Sequence, residues 1–142
     1  MQLRAERGFS FIELLIVVAI IIVILTAAVP YYQEAVRNSR EMAAMQAIRT
    51  LHAAQMQYYS QNDRFAASLG DLGGHWIPAE LASGKKSGYH FRMDVTPDGF
   101  AIHAEPAKFD VTGSRTFFSD QTMVIRENRG REPATATSPE AR

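Results

Sequence analysis

Residues 8–30 of the sequence are GFSFIELLIVVAIIIVILTAAVP, and they decide how the rest of the chain is organised. A helix over residues 9–29 would span roughly 31 Å, about the thickness of the hydrocarbon core of a bilayer. A carboxylate in such a helix costs a few kcal/mol unless it is protonated or finds a partner. The sequence therefore predicts a transmembrane helix with one carboxylate that needs a partner. The polar side chains of this segment are Ser10, Glu13 and Thr26.

The residues that flank this segment bear on processing and on orientation. An ordinary secretory signal has a shorter apolar stretch, followed by a small-residue cleavage site. Here Pro30 makes the site after the stretch a poor one, and Gly8 is the other plausible boundary. Arg4 and Arg7 precede the apolar segment and favour a cytoplasmic N-terminus, although Arg37 and Arg40 on the far side weaken that preference.

Length and composition restrict the classes of protein to consider. The chain has 142 residues, which is room for one membrane segment and one modest domain. Its 15 basic side chains equal its 15 acidic ones, and glutamates dilute the arginines near the end, so no nucleic-acid partner is predicted. The sequence contains no cysteine, which excludes a disulfide framework, thiolate metal sites and a cysteine nucleophile.

Helical character resumes after Pro30, because residues 31–61 contain neither glycine nor proline. We expect an amphipathic helix over residues 30–60 that continues the apolar helix into a head domain. Three methionines fall on another face of it, either at the edge of the core or in contact with a neighbouring subunit. These are Met42, Met45 and Met56. The stripe expected to be buried is Ala44, Ala47, Ile48, Leu51, Ala54, Gln55 and Tyr58.

Residues 61–127 are predicted to form a connecting loop and an antiparallel sheet. The loop covers residues 61–87 and includes a short helical turn capped by Ser68. YHFRMDV and FAIHAEP alternate around a TPDG turn, which predicts a hairpin with Val95 opposite Phe100. In that register the buried pairs are Met93 with Ile102 and Phe91 with Ala104, and the solvent-side pairs are Arg92 with His103 and His90 with Glu105.

A second hairpin is expected from RTFFS and MVIRE, with Asp120 and Gln121 near its turn. A long helix packed on two hairpins gives an α+β fold. Residues 128–142 contain no large apolar side chain, so we expect a flexible polar tail.

No motif in the sequence supports catalysis, a cofactor or a metal site. The chain has no nucleophile elbow, phosphate loop or metalloprotease motif, which predicts a protein that is not an enzyme. The four histidines do not have the spacing of metal ligands. Four aspartates invite comparison with calcium loops, but their spacing fits no such loop. They are Asp94, Asp98, Asp110 and Asp120.

The N-terminal segment resembles the class III signal of type IV pilins and of type II secretion pseudopilins. The resemblance covers residues 8 to about 33: Gly8 before the cleavage point, Phe9 as the new N-terminus, Glu13 as the fifth mature residue, Pro30, and Tyr32 after it. Residues 1–8 are then a leader peptide. The resemblance also implies the pilin fold, in which a long N-terminal helix packs on a small antiparallel sheet.

The resemblance implies a route of assembly. A prepilin peptidase would cut between Gly8 and Phe9 and methylate the Phe9 amine. The subunit would wait in the inner membrane with its head outside, until pilus or type II secretion machinery adds it to a helical filament. There Glu13 would pair with the Phe9 amine of an adjacent subunit; the alternative is pairing within its own chain.

The function implied is that of a structural subunit of an extracellular type IV pilus-like filament. The alternatives are a pseudopilin, a minor pilin, and, from another class, an anchored binding or sensor protein with an uncleaved helix. Two departures from the family are visible. Ile22 stands where members usually carry glycine, which puts unwinding of the helix near Pro30 in question. The cysteine pair that often closes the C-terminal region is also missing.

Overall fold

The computed structural model describes residues 8–142, so the predicted leader lies almost wholly outside the described residues. Within these described residues, three helices and five strands follow one another. They are α1 (Phe11–Asn62), α2 (Leu69–Leu72), α3 (Ala79–Ala82), β1 (Lys85–Lys86), β2 (Tyr89–Thr96), β3 (Gly99–Pro106), β4 (Arg115–Asp120) and β5 (Arg126–Arg129). The strands form one antiparallel sheet in the order β1-β2-β3-β4-β5. The α+β fold with a long N-terminal helix is confirmed.

The chain divides into two compact units, Met1–Ala35 and Val36–Arg142. In the first unit the large apolar side chains of residues 9–29 are 44% to 84% exposed. By its length and composition, helix α1 is long and apolar enough to cross a membrane. The helix is continuous through Ile22 and Pro30, although Pro30 has no N–H to donate to the carbonyl of Thr26.

The second unit is built on the apolar stripe of α1, and every residue predicted for that stripe is buried. Helical spacing places these side chains on one side of α1, so they cover one face of the sheet. The strand residues in the same core are Tyr89, Phe91, Met93, Phe100, Ile102, Ala104 and Phe117. Of the three methionines, Met45 packs at the edge of this core, whereas Met42 and Met56 are exposed.

The first hairpin has the predicted register. Val95 pairs with Phe100, Met93 with Ile102, and Phe91 with Ala104. Arg92 is opposite His103, and His90 is opposite Glu105. The short helix α2 is also capped as expected, since the Ser68 hydroxyl accepts a hydrogen bond from the N–H of Asp71.

The second hairpin differs from the prediction in its second strand. Strand β5 begins at Arg126 rather than at Met123, and Arg115 pairs with Arg129 at the far end. The connection is held by a side chain, because the Ser119 hydroxyl donates to the carbonyl of Val124 over 2.8 Å. The predicted strand MVIRE therefore begins three residues too early. No pattern in the sequence indicated α3 or β1.

The prediction of a flexible tail over residues 128–142 is wrong. Its first residues belong to β5, and Arg126 forms an antiparallel bridge with Glu140. Ala134 is 1% exposed and packs against Ala101 and Phe118 on the face of the sheet away from α1. The segment is ordered by main-chain hydrogen bonds and two small apolar contacts, which composition does not reveal.

Candidate assembly site

Glu13 lies in the first turn of α1, which begins directly after Ser10. Its carboxylate accepts a hydrogen bond from the main-chain N–H of Ser10, with 2.9 Å between Oε2 and the nitrogen. This contact is half of a capping box, in which the glutamate of an S-x-x-E sequence binds the N–H of the capping residue. The sequence Ser10-Phe11-Ile12-Glu13 has this pattern, which could have indicated the contact. In the full chain, the carboxylate thus has a local partner.

The predicted cleavage point between Gly8 and Phe9 immediately precedes this turn. Both residues are exposed, and Phe9 is 84% exposed. A Cβ added to Gly8 would meet no heavy atom within 4 Å, so packing within the described chain does not require glycine there. Cleavage, methylation of Phe9, and the assembly roles of Glu13 and Pro30 remain predictions.

A second carboxylate of α1 that the sequence did not single out is Glu41, which is 2% exposed. It accepts hydrogen bonds from the N–H of Ser114 at 2.7 Å and from the Ser114 hydroxyl at 2.9 Å. Arg115 Nε lies 2.7 Å from its other oxygen. The same guanidinium also contacts the carboxylate of Glu127, which Arg129 reaches over 3.2 Å. This network, which is buried except at Arg129, joins α1 to both strands of the second hairpin.

Electrostatics within the network favour the charged form of Glu41. Burial alone would raise its pKa, but the hydrogen bonds from Ser114 and the ion pair with Arg115 outweigh burial and lower the pKa below 4.5. Tyr89 donates its hydroxyl hydrogen to the Arg115 carbonyl over 2.8 Å. Burial, followed by the nearby Glu41 charge, raises the pKa of Tyr89 above its ordinary value.

Two further polar residues of α1 are buried because they bind the rest of the head. The side-chain amide of Gln55 donates to the carbonyl of Ala66 at 3.1 Å and accepts from its N–H at 2.9 Å. His52 Nε2 lies 2.8 Å from the hydroxyl of Ser119, whose hydrogen is already donated to Val124. Nε2–H is therefore the donor, and burial lowers the pKa of His52.

The remaining candidate residues from the sequence do not converge on one site. Within residues 8–142, no three histidine, aspartate or glutamate side chains form a group that could hold a metal ion. Asp110 faces Arg37, and Asp94 faces Arg92. Among the arginines near the end of the chain, Arg126 binds the carbonyl of Ser138, and Arg131 lies over the ring of Phe109.

Two family models match the sequence. One, described as the prokaryotic N-terminal methylation motif, matches residues 3–29, which contain Gly8, Phe9 and Glu13. The other, described as type IV minor pilin ComP, DNA uptake sequence receptor, matches residues 30–116, more than half of the chain. The chain belongs to this family of type IV pilins. Residues 117–142 of this pilin, including β5, lie outside the matched range.

This pilin is also similar to the type IV major pilin protein PilA of Myxococcus xanthus (strain DK1622). The two are 34% identical over 67 residues, which is 47% of this chain and 30% of the relative. The matched part is therefore less than a third of the relative's length. No solved structure gives a significant match to this pilin.

Proposed function

We propose that this pilin is a structural, non-catalytic subunit of an extracellular type IV pilus-like filament. The observation that carries the proposal is a helix with large apolar side chains that are 44% to 84% exposed over residues 9–29. Exposed apolar area on this scale needs either lipid or other copies of the same helix around it. The methylation motif matched over residues 3–29 supports a subunit that uses both environments in turn.

Before assembly, the subunit lies in the inner membrane with its N-terminus in the cytoplasm and its head outside. A prepilin peptidase cuts between Gly8 and Phe9 and methylates the new amine. Pilus or type II secretion machinery then transfers the subunit from lipid into the filament. The transfer requires little change in solvation, because the apolar side chains leave one apolar environment for another.

Glu13 is the residue that sets the position of each subunit in the filament. The carboxylate caps its own helix through Ser10 in the full chain, and cleavage creates a cationic amine at Phe9 beside it. In a low-dielectric bundle, a carboxylate and an amine of adjacent copies relieve each other's desolvation. A head-to-tail contact of this kind does not close on itself and generates an open helix.

The pairing predicts the behaviour of Glu13→Ala. The variant should be processed and inserted in the membrane, but its filament yield should fall by at least about tenfold, since an unpaired amine then enters an apolar core. Glu34→Ala is the control, because Glu34 is an exposed carboxylate of the same helix beyond Pro30. Sheared filaments and membranes would be compared by immunoblot; normal filament yield from Glu13→Ala would refute the pairing.

The same N-terminal features are also typical of two alternative functions, those of a pseudopilin of a type II secretion system and of a minor pilin. A pseudopilin would be processed yet would stay out of the sheared fraction. A minor pilin would be found in filaments in substoichiometric amounts. Quantitative mass spectrometry of sheared filaments distinguishes the three roles by the ratio of this chain to other pilins.

A second candidate function is DNA binding by a minor pilin, which the name of the matched family favours: a DNA uptake sequence receptor. The chain has 15 basic and 15 acidic side chains, so its overall charge does not itself indicate DNA binding. We expect full-length pilin in detergent to bind labelled DNA in fluorescence anisotropy, with an affinity that falls steeply as salt rises. Absence of binding at about 50 mM salt would exclude this function.

A further inference from the structure

Residues 131–142, named the strap from here on, lie over the sheet and are held through their main chain. The Thr116 hydroxyl donates to the carbonyl of Glu132 at 2.8 Å and accepts from the N–H of Ala134 at 2.9 Å. The side chain of Asn128 donates to the same Glu132 carbonyl at 2.8 Å. Thr116 is 2% exposed with the strap in place, so the strap both covers its hydroxyl and supplies its hydrogen-bond partners.

The second half of the strap extends the sheet. The N–H of Glu127 donates to the carbonyl of Pro139, and the N–H of Ala141 donates to the carbonyl of Ile125, both over 2.9 Å. Arg126 also donates to the carbonyl of Ser138 at 2.9 Å. A segment that adds itself to the exposed edge of a sheet through main-chain hydrogen bonds is the pattern of β-strand addition, a common mode of peptide recognition.

Two alanines of the strap have apolar contacts with the rest of the head. Ala134 packs against Ala101 and Phe118, and Ala141 packs at the edge of the main core. Arg131 lies over the ring of Phe109, and the remaining contacts with the sheet reach main-chain atoms of the strap. The sheet surface around Thr116, Phe118 and the edge of β5 thus has the properties of a peptide-binding site, which we name the seat.

We propose that the seat is a peptide-binding site, filled at rest by the strap of its own chain and able to bind the strap of a second copy in exchange. The seat is complementary to this segment because it already holds it, and two residues, 130 and 131, separate β5 from the first main-chain contact of the strap, at Glu132. If two copies exchanged straps, their heads would be linked through the contacts described above, and no new interface would be needed. The sequence has no cysteine, so no disulfide can close the C-terminal region, and the contacts of the strap close it instead.

The first test separates the strap from the seat. A chain ending at Gly130 should melt about 10 °C lower than the full chain in the same detergent. The synthetic peptide REPATATSPEAR, residues 131–142, should bind it and restore most of the loss. The same peptide with Ala134→Glu should do neither, since Ala134 is 1% exposed. The proposal would be overturned if truncation left the melting temperature unchanged, or if the truncated chain folded but did not bind the peptide.

The second test uses the full chain and does not depend on the truncated one folding. Because the sequence has no cysteine, Ala101→Cys and Ala134→Cys introduce the only thiols. The double variant should form an internal disulfide, and a mixture of the two single variants should form an intermolecular one. Thr137→Cys, at an exposed strap residue, replaces Ala134→Cys in the control mixture and should crosslink much less. An internal disulfide without the intermolecular one would refute exchange.

Discussion

At the scale of single residues, two glutamates of α1 each have a carboxylate that requires a hydrogen-bond or ion-pair partner, and they find different ones. Glu13 lies among exposed apolar side chains and caps its own helix through Ser10. Glu41 is 2% exposed and binds Ser114 and Arg115, where β4 begins. Glu13 could be identified from sequence because its neighbours are apolar. Glu41 could not, because its own neighbours are mixed and its partners are more than seventy positions away along the chain.

Glu41→Ala should lower the free energy of unfolding of the head by about 3 kcal/mol, since it leaves the Arg115 guanidinium and the Ser114 N–H buried with one partner fewer. Glu34→Ala, which removes an exposed carboxylate of the same helix, should change it by less than about 0.5 kcal/mol. Urea denaturation followed by tryptophan fluorescence measures both. Equal stabilities of the two variants would contradict the assignment of Glu41 to a buried network.

The same residue predicts a loss of stability in acid. The pKa of Glu41 is lower in the folded protein than its ordinary value of 4.5, so the unfolded chain takes up a proton first as the pH falls. Its stabilisation should be complete above about pH 5 and should disappear as the pH falls through the lowered pKa. Melting temperatures at pH 7 and pH 3.5 measure the effect. The drop should be smaller in Glu41→Gln, which cannot titrate.

At the scale of helices and strands, prediction succeeded wherever a face alternates between core and solvent. The stripe of α1 and the register of β2 with β3 follow from periodicities of 3.6 and 2 residues. The bounds of β5 were misplaced and the ordered strap was missed, because main-chain atoms and buried polar side chains such as Thr116 hold these segments. Such contacts leave no periodic pattern in a sequence.

The stripe predicts unequal effects of substitution on α1. Leu51→Ala should reduce the free energy of unfolding by about 3 kcal/mol, because Leu51 is 0% exposed and its loss leaves a cavity. Met42→Ala should change it by less than about 0.5 kcal/mol, because Met42 is 65% exposed. Thermal and urea denaturation of the purified variants measure these values. A large loss from Met42→Ala would contradict the orientation of the helix.

At the scale of the whole molecule, the chain combines an apolar helical unit with a head that has its own core. The N-terminal motif predicted the family, and the fold of the head agrees with it, although the sequence alone leaves the role in the filament open. That role depends on contacts between copies, which neither composition nor periodicity encodes. We propose that the apolar helix, freed of its leader at Phe9, serves first as a membrane anchor and then as the core of a filament.

Mass spectrometry of the N-terminal peptide, taken from material sheared off the cell surface, tests this claim most directly. We expect a peptide that begins at Phe9 and is heavier by one methyl group, which would establish processing and export in one measurement. A chain in that material that still begins at Met1 would contradict it, because the leader would then remain attached and no Phe9 amine would exist for Glu13 to meet.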